Sequence, residues 1–586
     1  MVEFDNPLAD YESHFRELHE RLAREYFETL LQKSQVDKQQ NSVLVSEIQK
    51  LNQSHNEASA TRRKWKFIRI LLLVLALAPL LLLIEEQNIV SFMSIPFAVG
   101  IIVLMFKKVN PKIANLNAIL NEVAKQQELK TAEAWTQMAP LNALFTWDIA
   151  SKLFQQAFPQ VRLDRHLDSN RLADLHFNYG LSPNFNDDRS VLYTQSGAYL
   201  NNPFVFVRSK QHWIGSRTYS GSITIFWTES VQDNEGDWVE VQRSQVLTAS
   251  VTKPFPEYLD RTHLIYGHES APELSFSRTP SKLSGLDEGM MNNWKKEQAV
   301  KKVEKQARRD VKSGDGQLTV MANRDFEALF NAVDRDHEIE FRLLFSPLAQ
   351  QEMVKLLNDK QIAFGDDFAF YKSGKVNIID SGHLSETQFH CDPRMFVSFD
   401  LMQLQNFFLE YQRSYFKSLF FAFAPLLTIP LYREKRSSQI PAHDDSLSDC
   451  SPWDSEMMAN YIGEQTFMHP ESVTQNIIRT GNARDADGST LVNIAAYGYK
   501  GIPQVDLITM LGGDGNFHHV PVHWTEYVPV SRNSSMIIWT VQNNSVDPAD
   551  DKDVELVQRW TESMQRRGFD ASTVYVRNGI AARVLN

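Results

Sequence analysis

Two apolar runs near the N-terminus, Ile70–Ile84 and Ile89–Phe106, constrain the fold of this chain more than any other feature. The short polar break Glu85–Asn88 separates them. About 20 apolar residues cross the hydrocarbon core of a bilayer, and two adjacent runs of nearly that length are typical of a transmembrane hairpin. We therefore predict a membrane-spanning hairpin over residues 66–108. A buried helical hairpin inside a large core is the alternative.

The charges beside these runs predict an orientation. Basic residues precede the first run and follow the second, whereas the break between them carries only Glu85 and Glu86. Because Lys and Arg are retained on the cytoplasmic side, both termini should face the cytoplasm, and the protein should lie in the inner (plasma) membrane. The side chains expected to anchor the hairpin at the lipid bilayer are Arg62, Arg63, Lys64, Trp65, Lys66, Arg69, Lys107 and Lys108.

Composition and charge bear on the partner and on the compartment of this chain. The formal net charge is −12, which argues against nucleic acid as a partner. The two cysteines, Cys391 and Cys450, form neither a disulfide framework nor a metal-ligand spacing, in agreement with a reducing compartment. The acidic start of the chain does not resemble a secretory signal. We expect no cofactor.

An apolar stripe in the N-terminal region predicts a helix that packs against something. Tyr11, Phe15, Leu18, Leu22 and Tyr26 recur at spacings of three and four residues, with polar residues between them. So narrow a stripe suits self-association or packing on another part of the same chain. We expect a homo-oligomer or a protein partner bound through this helix.

The remaining patterns predict an α+β protein with antiparallel sheets. Alternation over Tyr219–Ser230 and Trp238–Val251 around an acidic turn predicts a β-hairpin. Phe341–Phe345 is predicted as a strand, and Ser346-Pro347 begins a helix. The predicted regions are an amphipathic helical region (1–65), the membrane hairpin (66–108), a helical stalk (109–150), an α+β domain (151–435) with a basic helical insertion (286–314), a linker (436–450) and a C-terminal α+β domain (451–586).

One further apolar segment, Leu419–Leu431, leaves two interpretations open. It could enter the membrane as a third span, or it could be a buried core segment. The run is short for a span and contains Pro425 and Pro430, which favours the core.

The best enzyme-like cluster lies near the C-terminus. His518, His519, His523 and Glu526 have side chains that could bind zinc or another transition metal, and the candidate ligands are His519, His523 and Glu526. On a strand, His519 and His523 would share a face at roughly 13 Å from each other, which is too far for one ion. A polar strand face is therefore the favoured interpretation.

Three other motifs are weak. Gly512–Gly515 lacks the lysine and hydroxyl of a phosphate loop and predicts a turn. Asp485–Gly488 begins like a calcium loop, but Ile494 occupies the position of the required glutamate. Cys391 and His390 are adjacent in the sequence, but a nucleophile and its base must be adjacent in space, so this signal is weak.

Several stretches resemble a family of uncharacterised bacterial membrane proteins that have an N-terminal helix, a two-helix membrane hairpin and a large cytoplasmic domain of unknown function. The resemblance implies that the parts before and after the basic helix form one domain with an insertion, and it supplies no catalytic residues. The stretches that carry it are Tyr219–Ser222 leading into Trp227, Leu247–Tyr258, Tyr266-Gly267, Leu274–Arg278, and Asp325-Phe326 ahead of Asp334–Asp336.

These observations favour a membrane-anchored, cytoplasmic-facing scaffold or binding protein without catalytic activity. One alternative is a membrane-tethered enzyme, such as a metal-dependent hydrolase that uses the C-terminal histidines. Another is an oligomeric channel or transporter component, although a hairpin without buried charges offers no ion path.

Overall fold

The computed structural model describes residues 6–85, 96, 99–164, 166–167, 169–232, 234–284, 294–295, 297–305, 319–434, 450–484, 490–540 and 574–585. These residues form two compact units. Unit 1 comprises 1–22, 147–391 and 412–586, and unit 2 comprises 23–146 and 392–411. The predicted linker 436–450 lies outside the described residues except for Cys450, and 294–295 and 297–305 are the described part of the basic insertion 286–314.

Both units contain helices. In chain order they are α1 (Pro7–Asp10), α2 (Arg16–Ser34), α3 (Lys38–Glu85), α4 (Asn110–Asn142), α5 (Ile149–Ala157), α6 (Ser169–Phe177), α7 (Arg324–Phe330), α8 (Glu338–Leu344), α9 (Pro347–Asn358), α10 (Gly382–Glu386), α11 (Leu401–Leu427), α12 (Pro452–Ile462) and α13 (Glu464–Phe467). π-Helical turns at Tyr11–Phe15 and Met105–Val109 lead into α2 and α4, and short 3-10 turns lie at Pro393–Phe396 and Pro430–Arg433.

The strands all belong to unit 1 and pair in antiparallel fashion. They are β1 (Val161–Leu163), β2 (Arg189–Tyr199), β3 (Asn202–Gln232), β4 (Trp238–Gly267), β5 (Ser275–Arg278), β6 (Phe368–Ser373), β7 (Val376–Ser381), β8 (Ile477–Arg484), β9 (Thr490–Leu511), β10 (Phe517–Thr540), β11 (Tyr575–Arg577) and β12 (Ile580–Leu585). One sheet has the order β1-β2-β3-β4-β7-β6-β5, and the other has the order β11-β12-β10-β9-β8.

Two long hairpins extend beyond these sheets. β3 pairs with β4 from Phe204↔Tyr266 to Gln232↔Trp238, and β9 pairs with β10 from Thr490↔Ile538 to Leu511↔Phe517. Their outer portions pack face to face; we call residues 216–230, 240–254 and 502–527 the arm. A small apolar core lies between the two hairpins of the arm, formed by Ile225, Leu247, Ala249, Val520 and Val522.

Polar contacts also join the hairpins of the arm. The Lys253 ammonium lies 2.7 Å from an Asp506 carboxylate oxygen and 4.2 Å from the centre of the Trp524 ring. The Trp524 indole N–H donates to the same carboxylate at 2.9 Å. Strands that are more than 200 residues apart in the chain are therefore held in one register by apolar and ionic contacts together.

A larger core lies where the hairpins emerge from their sheets. Helix α12 packs against β2 and β8, and its buried residues Met457, Met458 and Ala459 belong to one cluster with apolar side chains of both sheets. Asn460 on the same helix donates to the Val191 carbonyl at 2.8 Å. The region after residue 450 therefore shares a core with the region before residue 435.

A second cluster in unit 1 is aromatic. Phe420 on α11 lies 5.3–5.5 Å, ring centre to ring centre, from Tyr11, Phe15 and Phe158. The first residues of the N-terminal stripe thus pack on the same chain. Leu419–Leu431 is mostly buried in this region, as expected of a core segment.

No helix within the described residues is both long and apolar enough to cross a membrane. The first apolar run is part of α3, which begins at Lys38 and carries five basic residues between Arg62 and Arg69. Residues 86–95, which include most of the break and part of the second run, lie outside the described residues. The predicted transmembrane hairpin is not found, so the prediction of an inner-membrane protein is corrected.

The flanking residues of the predicted hairpin contact other parts of unit 2. The Arg62 guanidinium donates to the Asn117 side-chain oxygen at 3.3 Å. Trp65 packs against an apolar cluster between α3 and α4, whose members are Met105, Val109 and Ile113. Several apolar side chains nearby, among them Phe67 and Phe106, are exposed.

The α+β class and the hairpin of β3 and β4 are confirmed. The predicted strand Phe341–Phe345 is wrong, because residues Glu338–Leu344 form α8. His337 caps this helix by accepting a hydrogen bond from the Glu340 N–H at 3.3 Å, and Glu338 and Glu340 occupy its first turn, where carboxylates favour a helix.

Candidate functional site

A cleft of about 650 Å³ lies at the base of the arm, where the two long hairpins separate. Its volume is in the range of small-ligand and peptide-side-chain sites. Strands β3, β4, β8, β9 and β10 contribute to it, together with the segment before β2. The lining residues are Asp187, Asp188, His212, Tyr258, Ile477, Arg479, Tyr497, Gly498, Tyr499, Pro529, Val530 and Ser531.

Aromatic rings form one wall of this cleft. The His212 ring lies between Tyr258 and Tyr499, with ring centres 5.1 and 5.4 Å away. Thr474 fixes both tyrosines, because its hydroxyl accepts from the Tyr258 hydroxyl at 3.2 Å and from the Tyr499 backbone N–H at 3.1 Å. Tyr497, two residues before Tyr499, leaves half of its surface exposed. A partly exposed aromatic surface results.

Burial sets the protonation of this wall. It lowers the pKa of His212 and raises the pKa values of Tyr258 and Tyr499. At neutral pH all three side chains are therefore uncharged. The Nε2 atom of His212 is buried and has no hydrogen-bond partner among the described residues.

Arg479 lines another part of the cleft. Its guanidinium donates to the Arg189 carbonyl at 2.6 Å and lies 3.3 Å from the carboxylate of Glu456, a buried residue of α12. Burial raises the pKa of Glu456 to about 8, against the opposing charge of Arg479. The Val191 N–H donates to Glu456 at 2.6 Å. Arg479 thus contacts a buried carboxylate while 29% of its side chain stays exposed at the cleft.

Two carboxylates give the mouth of the cleft its charge. Asp187 and Asp188 expose 65% and 72% of their side chains. The hydrogen bond from Arg189 lowers the pKa of Asp188, and the nearest Arg479 nitrogen is 3.6 Å from Asp187. Each carboxylate has an arginine nearby, Arg189 for Asp188 and Arg479 for Asp187, but both aspartates stay exposed in the same cleft as the tyrosine rings, where a cationic group could approach them.

The histidines predicted as metal ligands lie elsewhere, on the arm. His519 and His523 share the outer face of β10, opposite Thr509 and Val505, whereas His518 and Glu526 lie on the other face. His518 contacts Asp514 at 2.9 Å, and Glu526 accepts from Gln504 at 2.8 Å. The fold does not bring His519, His523 and Glu526 together. In the described part of the chain, no three His, Cys, Asp or Glu side chains are grouped so that they could hold a metal ion.

The weak motifs acquire structural roles. Gly512–Asn516 is the turn between β9 and β10, closed by the Gly512 N–H donating to the Asn516 carbonyl at 2.8 Å. His390 accepts from the Arg577 guanidinium at 2.8 Å, and burial lowers its pKa to about 2, so it is unsuited to act as a base toward Cys391. The calcium-like segment Asp485–Gly488 lies outside the described residues.

Sequence reasoning missed the cleft residues. His212, Tyr258 and Tyr499 come from three strands that meet only in the folded chain, and none of them belongs to a motif. The closely spaced pair Tyr497 and Tyr499 was the one local signal, because alternate strand positions place two rings on one face.

Comparisons with known proteins give no identification. No protein-family model, no curated protein and no solved structure matches this chain.

Proposed function

We propose that this chain is a binding or scaffold protein that recognises a partner protein through the cleft at the base of the arm. The observation that carries the proposal is the partly exposed aromatic wall, which shares one cleft with two exposed carboxylates. Such a site offers shape and hydrogen bonding, and within the described ranges no acid makes a hydrogen bond or ion pair with His212 that would activate it as a general base.

The charge of the cleft selects the class of ligand. A lysine or arginine side chain of a partner would lie on the Tyr497 ring and approach Asp187 and Asp188. The formal net charge of −12 on the whole chain also favours the approach of a basic segment. We therefore propose that the partner presents an exposed basic side chain on an extended segment.

The test uses two fluorescently labelled peptides, Gly-Gly-Arg-Gly-Gly and Gly-Gly-Glu-Gly-Gly, with the full chain titrated into each. We expect saturable binding of the arginine peptide alone, measured as fluorescence anisotropy. Tyr497→Ala and Asp188→Asn should each weaken this binding about fivefold, since each removes one exposed cation contact.

The matched control is Tyr371→Ala, because Tyr371 on β6 is also an exposed tyrosine on a strand but does not line the cleft. This variant should bind the arginine peptide as the wild type does. Equal binding of both peptides, or unchanged affinity in Tyr497→Ala, would exclude the cleft as the recognition site.

A further inference from the structure

The outer edges of the arm are open to another strand. β2 pairs with β3 only as far as Gln211, and β7 pairs with β4 only from His263 onward. β8 and β12 likewise pair with β9 and β10 only near the sheet. In the described residues, the arm therefore has four strand edges without a partner strand. Such edges are templates for further pairing unless something blocks them.

Proline interrupts three of these edges, that of β4 only at the base of the arm, since residues 238–252 contain none. Pro254 and Pro256 lie on β4, Pro503 on β9, and Pro521 and Pro529 on β10. Proline lacks an N–H and is tolerated in a strand where that group would point away from the neighbouring strand. β3 has no proline between His212 and Gln232. β3 is thus the arm strand that proline does not interrupt at any point.

The prolines of β4 also show which groups of β3 point outward. Pro254 is opposite Ser216 and Pro256 is opposite Ile214. Because proline cannot donate, these pairs exchange no hydrogen bonds, and residues alternate along an antiparallel ladder. The even-numbered residues of β3 therefore direct their N–H and C=O groups to the open edge. Their side chains from Ser216 to Ser230 are all exposed.

The charged residues of β3 indicate which strand could pair with its open edge. Between His212 and Gln232, the charged residues of β3 are Arg217 and Glu229 alone. If a second β3 edge lies antiparallel with Ile223 opposite itself, Arg217 of each copy meets Glu229 of the other. The same register places even-numbered residues opposite even-numbered residues, as their outward hydrogen-bonding groups require. One register thus satisfies both the charges and the ladder.

We propose that two copies of this chain associate through the open β3 edges, antiparallel and centred on Ile223. The pairing joins the two β3–β4 hairpins into one four-stranded sheet with about sixteen new backbone hydrogen bonds. The interface is isologous and closed, because each edge is used once. It does not involve the cleft and does not depend on its ligand.

The first test substitutes proline at one edge and compares it with a matched change at another. Ser220→Pro removes an outward N–H of β3, whereas Ser250→Pro makes the same change at the opposite residue on the edge of β4. By sedimentation equilibrium, the wild type and Ser250→Pro should be dimers and Ser220→Pro a monomer, with equal far-ultraviolet circular dichroism. A monomeric wild type, or the same assembly in both variants, would overturn the proposal.

The second test reports the register and needs no loss of structure. Ile223→Cys should form an interchain disulfide under mild oxidation, because directly opposite residues in such a pair lie within disulfide range. Tyr219→Cys is the matched control, since Tyr219 is also partly buried in the arm core. In the proposed register its two copies are roughly 27 Å apart. Crosslinking of Tyr219→Cys but not Ile223→Cys, or of neither, would reject the register.

A charge exchange completes the test. Glu229 also lies 3.1 Å from Arg243 of its own hairpin, so the single change Glu229→Arg affects both contacts. We expect Glu229→Arg to weaken the dimer about tenfold and the double change Arg217→Glu/Glu229→Arg to restore it. Failure of the second change to restore association would contradict the pairing of these residues between copies.

Discussion

Glu456 is a buried acid whose ionisation is opposed by its surroundings. It exposes 3% of its surface and, although Arg479 lies nearby, its pKa is raised to about 8 by burial. The folded chain therefore retains a proton that the unfolded chain releases above its ordinary value of 4.5. For such a group, stability is greatest at low pH and falls as the pH rises through 8.

Glu456→Gln should remove this pH dependence while keeping an acceptor for the Val191 N–H. We expect the free energy of unfolding of the wild type to fall relative to that of the variant by up to about 1.4 kcal/mol per pH unit between pH 5 and 8. Urea unfolding at pH 5, 6.5 and 8 measures the difference. Glu471→Gln, at an exposed position, is the control; a wild-type-to-variant difference that stays constant with pH would contradict the argument.

Protonation states of this kind could not be predicted from the sequence. Glu456 lies in the ordinary-looking segment Ser455-Glu456-Met457, and its burial arises because β2 and β8 cover both sides of α12. The same holds for His390, which is adjacent to Cys391 in the sequence but bonded to Arg577 in the fold. The sequence around a residue does not show which distant residues it contacts in the folded chain.

At the scale of elements, the close approach of the two hairpins depends on Gly221. A Cβ atom at this position would lie well inside van der Waals contact with the Pro521 backbone carbonyl of the other hairpin. Backbone atoms cannot yield as the end of a flexible side chain can. The absence of a side chain at residue 221 is therefore what lets β3 and β10 approach each other.

Gly221→Ala should lower the free energy of unfolding by about 1–3 kcal/mol, the usual cost of an added carbon in a packed interface. Gly481→Ala is the matched control, because Gly481 also lies in a strand and an added Cβ there would meet nothing within 4 Å. Both are compared by urea unfolding at one pH. Equal stability of the two variants would show that the hairpins are not in contact at residue 221.

Strand alternation predicted the hairpin of β3 and β4 because one face is apolar and the other polar. It did not predict the stacking of this hairpin on β9 and β10, since that contact joins segments far apart in the chain. The error at Phe341–Phe345 has a local cause. Five residues are too few to distinguish a strand from a helix by period, and the acidic first turn of α8 was the stronger signal.

At the scale of the whole molecule, hydropathy favoured a membrane hairpin, which is not found among the described residues. A run of apolar residues does not determine how long its helix is, or whether lipid or protein surrounds it. Leu419–Leu431 illustrates this point, because an apolar segment of similar appearance is largely buried core. The α+β class was predictable because it depends on local periodicity, whereas the cleft was not, because its residues extend from Asp187 to Ser531.

Hydrogen–deuterium exchange of the full chain with and without Gly-Gly-Arg-Gly-Gly tests the central claim most directly. At saturating peptide, we predict slower amide exchange in the segments around Asp187, His212, Arg479 and Tyr499, because a ligand in the cleft covers these strands together. Exchange at the tip of the β3–β4 hairpin, residues 228–232 and 238–240, should not change. Protection confined to the tip or to unit 2, or no protection in the cleft segments, would contradict the account.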